Sequence, residues 1–514
     1  MKKATSLLAS LAVGALFCGL TGCDSDDGDG DTPSSDMPVE PTQPPVPGGG
    51  SGGGDAGGDT PVPERNVCEA WSGDAEEMVL FYGDDGSENG AGIWRLESDE
   101  SLCFVAAVRP ETAGFLAFHH DGRFYFSGCA EDPCVERLAY TTDGTESGTI
   151  ALTPPRVDAQ PSEWIVYDNT LYFAAVDADV GRELWSTDGT AAGTQVAVDV
   201  RPGELGGFPR STVIFDELLY FAASTPQGRS VLFRSDGSAE GTEIAIESLD
   251  LSGNPGAESI GFEETNYLPG NLFVWDDELY FLSFLWGHWL TDGTSETTRR
   301  IDDDGDTGFS CLIHTGPVVL DDQLYFAENL NSNIDGCELW RGGRIEESGA
   351  LFADIQPGRE GSDPRFLITA GETLYFSADG GDGAELWSSD GTSEGTLRVA
   401  DLNPDGASDP VTLFASDDTV YFVADPGDGD RLYLTDGDGA EEVAPTATRP
   451  DPDDIDATPP ILRRGSVVYF LGRSAEEGVE LWATELETTS ARRVTDLNAG
   501  SGDGVPAFFP VEEP

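Results

Sequence analysis

One pattern constrains this chain more than any other: from about residue 78 onward it repeats itself at intervals of about 48 residues. Each copy carries an aromatic triplet inside an apolar run, as in Phe124-Tyr125-Phe126, Leu171-Tyr172-Phe173 and Leu374-Tyr375-Phe376. A second element follows, clearest in Glu183-Leu184-Trp185-Ser186-Thr187-Asp188-Gly189-Thr190 and Glu385-Leu386-Trp387-Ser388-Ser389-Asp390-Gly391-Thr392. Aligned on that element, an aromatic residue stands at the same point nine times: Trp94, Tyr140, Trp185, Phe233, Trp289, Trp340, Trp387, Tyr433 and Trp482. A period of this length with strand-forming runs and turn residues fits a unit of four β-strands.

Such a unit cannot bury both faces alone, so neighbours must stack. The expectation is an all-β fold, a single large β-propeller of eight to nine four-stranded blades, spanning residues 66–514. Each unit reads as strand a (Arg365-Phe366-Leu367-Ile368 in one copy), strand b with the triplet, strand c with the aligned aromatic, and strand d after Gly-Thr. Burying one large aromatic contributes up to about 4–6 kcal/mol, so the nine aligned aromatics are expected in the core. Between c and d the run Asp-Gly-Thr-x-x-Gly-Thr predicts a hairpin. Its Asp accepts backbone hydrogen bonds and its glycines take positive φ. The first unit lacks an obvious strand a, and Val505-Pro506-Ala507-Phe508-Phe509 reads as an orphan one, so the two ends are expected to share a closing blade.

These motifs resemble those of the bacterial ELWxxDGT-repeat proteins over about residues 78–512. The match is strong around Trp185 and Trp387 and weaker at Trp94, Trp340 and Trp482, where Glu97, Gly343 and Glu485 replace the Asp. The resemblance implies an extracellular, propeller-like architecture and brings no established activity.

Ahead of the repeats the chain has a different character. Lys2-Lys3 followed by the apolar stretch Ala4 to Leu20 reads as a signal peptide, residues 1–22. Leu20-Thr21-Gly22-Cys23 resembles the lipobox of bacterial lipoproteins, which implies a lipidated (palmitoylated) Cys23 as the membrane anchor. Residues 23–65 are Asp, Gly, Pro and Ser-rich and lack aromatics, so they cannot bury enough apolar surface to order themselves. They read as a tether reaching roughly 35 Å. The expected location is the cell envelope, with outer membrane, periplasmic face of the inner membrane and cell surface all open.

The 96 acidic residues against 27 Lys plus Arg give a net charge of −69, a field that repels nucleic acid. It suits solubility, basic partners or divalent cations. In an oxidising compartment the six remaining cysteines read as disulfides whose connectivity the sequence leaves open; their places in the repeat suit Cys68 with Cys103, Cys129 with Cys134, and Cys311 with Cys337.

Calcium is the one cofactor the sequence suggests, through acidic loops placed on one face: Asp302, Asp304 and Asp306, then Asp379 and Asp382, then Asp425 and Asp428. The repeat is most broken around residues 249–300, where Trp275, Trp286 and His288 stand outside the regular pattern as candidate ligand contacts, the two tryptophans as platforms for sugar rings. No GxSxG, HExxH or GxxxxGK motif occurs. The leading expectation is therefore a non-catalytic binding or adhesion scaffold for glycans or envelope proteins. The alternative is a propeller glycoside hydrolase or lyase acting on a polysaccharide, with two carboxylates as acid and base.

Overall fold

A computed structural model describes residues 66–514 apart from 74–76, 88–89, 111–116, 131–133, 247–268, 276, 284–286, 302–316, 329–335, 343–349, 359, 449–460, 475–477, 499–502, 506, 509–510 and 513–514. The described chain is all-β and forms nine sheets, one for each aligned aromatic. The protein is a nine-bladed propeller. Eight blades have four strands in simple antiparallel order, such as Arg365–Ala370, Thr373–Asp379, Ala384–Ser389 and Leu397–Arg398 in blade 7. Blade 2 has six, because Arg109–Pro110 and Val511–Glu512 join its own four. First strands of successive blades, including Ser162–Tyr167, Arg210–Phe215 and Pro269–Trp275, lie against one another, which puts strand a innermost around a central channel.

The ring closes as the sequence suggests. Ala507–Phe508 pairs antiparallel with Val79–Gly83, with Phe81 opposite Phe508 and Tyr82 opposite Ala507, and so becomes strand a of blade 1. Both chain ends of the ring thus meet in one sheet.

The triplet works by the two-residue period of a strand. Leu171 and Phe173 pack with blade 2, while Tyr172 packs with blade 4. In every blade the triplet's Phe stands directly opposite the aligned aromatic of strand c: Phe81 and Trp94, Phe126 and Tyr140, Phe173 and Trp185, and so on round to Phe470 and Trp482. Phe126–Tyr140, Phe221–Phe233 and Phe422–Tyr433 stack with ring centroids 5.5–5.7 Å apart. The indole N–H of Trp185 donates to Ala175 O at 3.1 Å, and that of Trp387 to Ala378 O at 3.0 Å, so neither ring buries an unpaired donor. Six of the nine aligned aromatics are buried; Trp340, Trp387 and Trp482 are half-buried.

The c–d hairpins form the caps read from Asp-Gly-Thr. Asp188 Oδ1 accepts both the backbone N–H (2.9 Å) and the hydroxyl (2.7 Å) of Thr190, and Thr190 Oγ1 accepts the Gly193 N–H. The same bonds recur at Asp143, Asp236 and Asp390. The side-chain bonds hold the Asp188, Asp236 and Asp390 carboxyls below the usual carboxylate range. One detail departs from the sequence reading: only the first glycine has positive φ. Gly189 sits at 83°, whereas Gly193 is required for space, because a Cβ there would lie 2.1 Å from Asp188 Oδ1.

Several of the described hairpins are also gripped by the preceding blade. The Tyr125 hydroxyl of blade 2 lies under Gly189 of blade 3, Tyr172 under Gly237 and Tyr220 under Gly293. Tyr421 Oη accepts the Glu487 N–H of blade 9 at 2.8 Å. Blade 1 lacks the tyrosine at this contact and uses Arg95 instead, whose Nη1 donates to Gly144 O at 2.8 Å. Gly189→Ala would put a Cβ 2.8 Å from Tyr125 Oη at a left-handed backbone position. We expect it to destabilise the ring by about 1–3 kcal/mol in urea unfolding. Tyr125→Phe in the same chain should recover part of the loss. An unchanged midpoint would show that the tyrosine does not grip the hairpin.

A device that sequence reading left unexplained holds the crossovers between blades. The Glu two residues before the aligned aromatic is buried in four blades: Glu183, Glu338, Glu385 and Glu480. Glu183, 0% exposed, accepts N–H bonds from Val200, Arg201 and Gly207 of the segment leading to blade 4. Glu338 accepts from the backbones of Ile355, Gln356 and Ser362, and Glu385 from those of Leu402 and Ser408; each also accepts the serine hydroxyl. Glu480 accepts from the Leu497 N–H and the Thr495 hydroxyl. One carboxylate thus satisfies several turn donors that a buried loop would otherwise leave unpaired.

Candidate binding site at the channel mouth

Strand a enters the channel in a repeated way. Gln160, Phe208, Asp363 and Asp409 each precede a proline, and each has positive φ (45°, 56°, 48° and 44°), although a residue before proline is normally extended. The backbone is pinned there from the preceding blade: Phe208 N–H donates to Arg182 O at 3.0 Å, Asp363 to Cys337 O at 2.9 Å and Asp409 to Ala384 O at 3.1 Å. A second positive φ follows at Glu163 (59°), Ser211 (52°), Asn271 (50°) and Phe366 (55°). At each of them the register between strands a and b shifts, the mark of a bulge.

Bulges of adjacent blades bond to one another around the mouth. Glu163 Oε2 accepts the Ser211 N–H at 2.7 Å, and Ser211 Oγ accepts the Asn271 N–H at 3.2 Å, a relay from blade 3 through blade 4 to blade 5. Burial pushes the Glu163 carboxyl up, against the opposing pull of Arg182, the Ser211 and Thr212 N–H groups and Arg210. Arg182 is fully engaged, donating to Gln160 O at 2.6 Å and Ser162 Oγ at 2.5 Å. Arg210 is different. Burial pulls its guanidinium down to about 10, still protonated at neutral pH, and its Nε is buried with no hydrogen-bond partner among the described residues. Thr212 Oγ1, on the same inner strand, is buried without a partner too.

No family model and no curated protein matches this chain. Among solved structures it is similar to a puromycin hydrolase, at 15% identity over 68% of this chain and 55% of that one, with a TM-score of 0.37. It is also similar to a prolyl endopeptidase (13% identity, 80% of this chain and 56% of that one, TM-score 0.37). A third likeness is to virginiamycin B lyase from Staphylococcus aureus (14% identity, 64% of this chain and 95% of that one, TM-score 0.34). The chain spans little more than half the length of the hydrolase and the endopeptidase.

The residues singled out from sequence are spread over other places. Trp275 packs among Tyr280, Leu290 and Phe326 and is 5% exposed, so a ring face is not offered to a sugar there. His288 pairs with Leu282 in the strand ladder, and Trp286 lies outside the described residues. The acidic loops close on themselves. Asp379 Oδ1 caps its own hairpin by accepting the Gly381 and Gly383 N–H groups at 2.7 and 2.9 Å, and Asp425 does the same for Gly427 and Gly429. Asp382 pairs with Arg398 and Asp428 with Arg431. These four carboxylates are occupied by turns and guanidiniums rather than gathered for a cation; Asp302, Asp304 and Asp306 lie outside the described residues.

Disulfides join Cys68 to Cys103 and Cys129 to Cys134. Cys337 is also disulfide-bonded, and Cys311, its expected partner, lies outside the described residues. Cys68, Cys103 and Glu97 come close enough together to ligate a metal, but both sulfurs are spent on each other. Cys23 and the tether lie outside the described residues, and no described helix is long and apolar enough to cross a membrane.

Sequence reading missed Arg210 and Phe208. Their signal was present as an x-Pro pair that recurs ahead of most inner strands, but it gains meaning only when the blades are superimposed.

Proposed function

We propose that this chain is an exported lipoprotein, anchored through Cys23, whose propeller is a non-catalytic binding scaffold for glycans or proteins of the cell envelope. The observation that carries this reading is how the repeat's polar groups are spent. The buried glutamates strap crossovers, the aspartates cap hairpins, and the tyrosines grip neighbouring blades. Raised carboxyls are a common mark of a general acid. Here Glu183, Glu338, Glu385 and Glu480 owe theirs first to burial, and their oxygens accept from the backbone of the crossover turns. The membership suggested by the ELWxxDGT motifs fits the same picture of a surface scaffold.

Titration calorimetry of the purified chain against envelope polysaccharides, with and without Ca²⁺, tests the binding role. Heat of binding without turnover is expected. Cleavage of a chromogenic glycoside panel, abolished by one channel carboxylate substitution, would put the hydrolase alternative in its place. For the anchor, Cys23→Ala should move the protein from the membrane to the soluble fraction and abolish labelling by radioactive palmitate.

A further inference from the structure

Blades 4 and 7 present the same inner-strand entry with one substitution between them. Blade 7 reads Asp363-Pro364-Arg365 and blade 4 reads Phe208-Pro209-Arg210. The two aligned stretches share their positive φ and their backbone bond to the preceding blade. In blade 7 the Asp363 carboxylate takes both Arg365 Nε, at 2.9 Å, and Arg365 Nη2. In blade 4 that carboxylate is missing. Phe208 stands in its place, 41% exposed; the carboxyl that acts on Arg210 is Glu163 of blade 3, and Arg210 Nε still has no hydrogen-bond acceptor among the described residues. A buried guanidinium nitrogen without an acceptor is costly, and a carboxylate is the acceptor its planar fork fits best.

Taking the propeller as a binding scaffold, as above, we infer that Arg210 and Phe208 hold the carboxylate and the ring face of an acidic sugar residue, a uronate, at the channel mouth. The ligand's carboxylate supplies to Arg210 what Asp363 supplies to Arg365. The exposed Phe208 ring offers a flat apolar surface for a pyranose face. The unpartnered Thr212 hydroxyl, on the same strand, suits a polyhydroxyl ligand better than an apolar peptide side chain. The chain's net charge does not forbid an anion here. At physiological ionic strength charges more than about 8 Å away are largely screened, and next to Arg210 the Glu163 carboxyl is held up by burial, which favours its neutral form.

The test is calorimetric titration of the full chain with trigalacturonate, galactotriose and a triglutamate peptide. Trigalacturonate should bind, and galactotriose and the peptide at least tenfold more weakly. Arg210→Gln should weaken trigalacturonate at least tenfold. Phe208→Asp recreates the blade 7 pair inside the protein. It should weaken binding as much while leaving the urea midpoint unchanged or higher, because Asp363 and Asp409 already occupy that backbone position in their own blades. Binding by Phe208→Asp within twofold of the parent, or equal affinity for galactotriose or the peptide, overturns the inference. A chain that binds other envelope polysaccharides but not trigalacturonate also overturns it and leaves the scaffold reading standing. Silence toward every ligand sinks both.

Discussion

Truncating the chain after Asp503 is expected to open the ring and lower its stability by at least about 5 kcal/mol. The closing segment is short, but its contacts have no substitute. Val505 is fully buried among Phe81, Trp94, Val479 and Leu481, and burying such a side chain is worth about 1.5–3 kcal/mol. The Gly504 and Val505 N–H groups donate to Val479 O, and Gly504 O accepts the Asp84 N–H. Each such bond contributes about 1 kcal/mol, and more is lost where a partner stays buried. Removing Ala507–Phe508 also bares the inner edge of Val79–Gly83, a free strand edge on which chains aggregate. Urea unfolding and size-exclusion chromatography would check this. An unchanged midpoint and a monodisperse peak would show that the nine blades hold together without the seam.

The second large effect concerns the buried glutamates. Glu385→Ala strips the Leu402 and Ser408 N–H groups and the Ser408 hydroxyl of their acceptor inside a closed turn. Releasing a desolvated carboxylate offsets part of the loss. We expect a net cost of about 2–4 kcal/mol in urea unfolding. Wild-type stability would argue that water replaces the carboxylate freely. The same groups set a pH dependence. Burial raises all four carboxyls, Glu183 to about 7 from an ordinary 4.5. Between those values the folded chain holds a proton that the unfolded chain has released, so stability falls as pH rises from about 4.5 to 7. The protein should therefore be more stable at pH 5.5 than at pH 8. General repulsion among 96 acidic residues acts in the same direction, so the discriminating measurement is Glu183→Gln. Whatever its absolute stability, that variant should show a flatter slope between pH 5 and 7; an unaltered slope would remove Glu183 from the account.

What could be read ahead of the structure followed from local physics. The triplet's alternation, the Asp-Gly-Thr hairpin and the orphan strand near Phe508 each depend on residues close in sequence, but counting the repeats leaves eight or nine blades open, and the pairing of Ala507–Phe508 with Val79–Gly83 decides for nine. The candidate site did not yield so readily. Glu385 lies beside Trp387 and reads as part of its motif, yet its partners lie on the far side of strand d, at Leu402 and Ser408. Asp379 and Asp425 suggested calcium because a carboxylate in a glycine-rich loop has two uses, and only coordinates reveal that it bonds its own backbone. Trp275 was misjudged for a related reason: its irregular position suggested display, whereas it fills space between blades 5 and 6.

The first described residues carry a mechanical consequence. Val67 bridges Phe104, and Cys68 is bonded to Cys103, both on the outer strand Leu102–Ala106 of blade 1. If the chain is anchored through Cys23 as proposed, tension arriving ahead of Asn66 would be transferred covalently to the rim of that blade. The Phe81–Phe508 seam lies at the opposite, inner edge of the same blade, so such a load would meet the Cys68–Cys103 bond before the pairing that closes the ring.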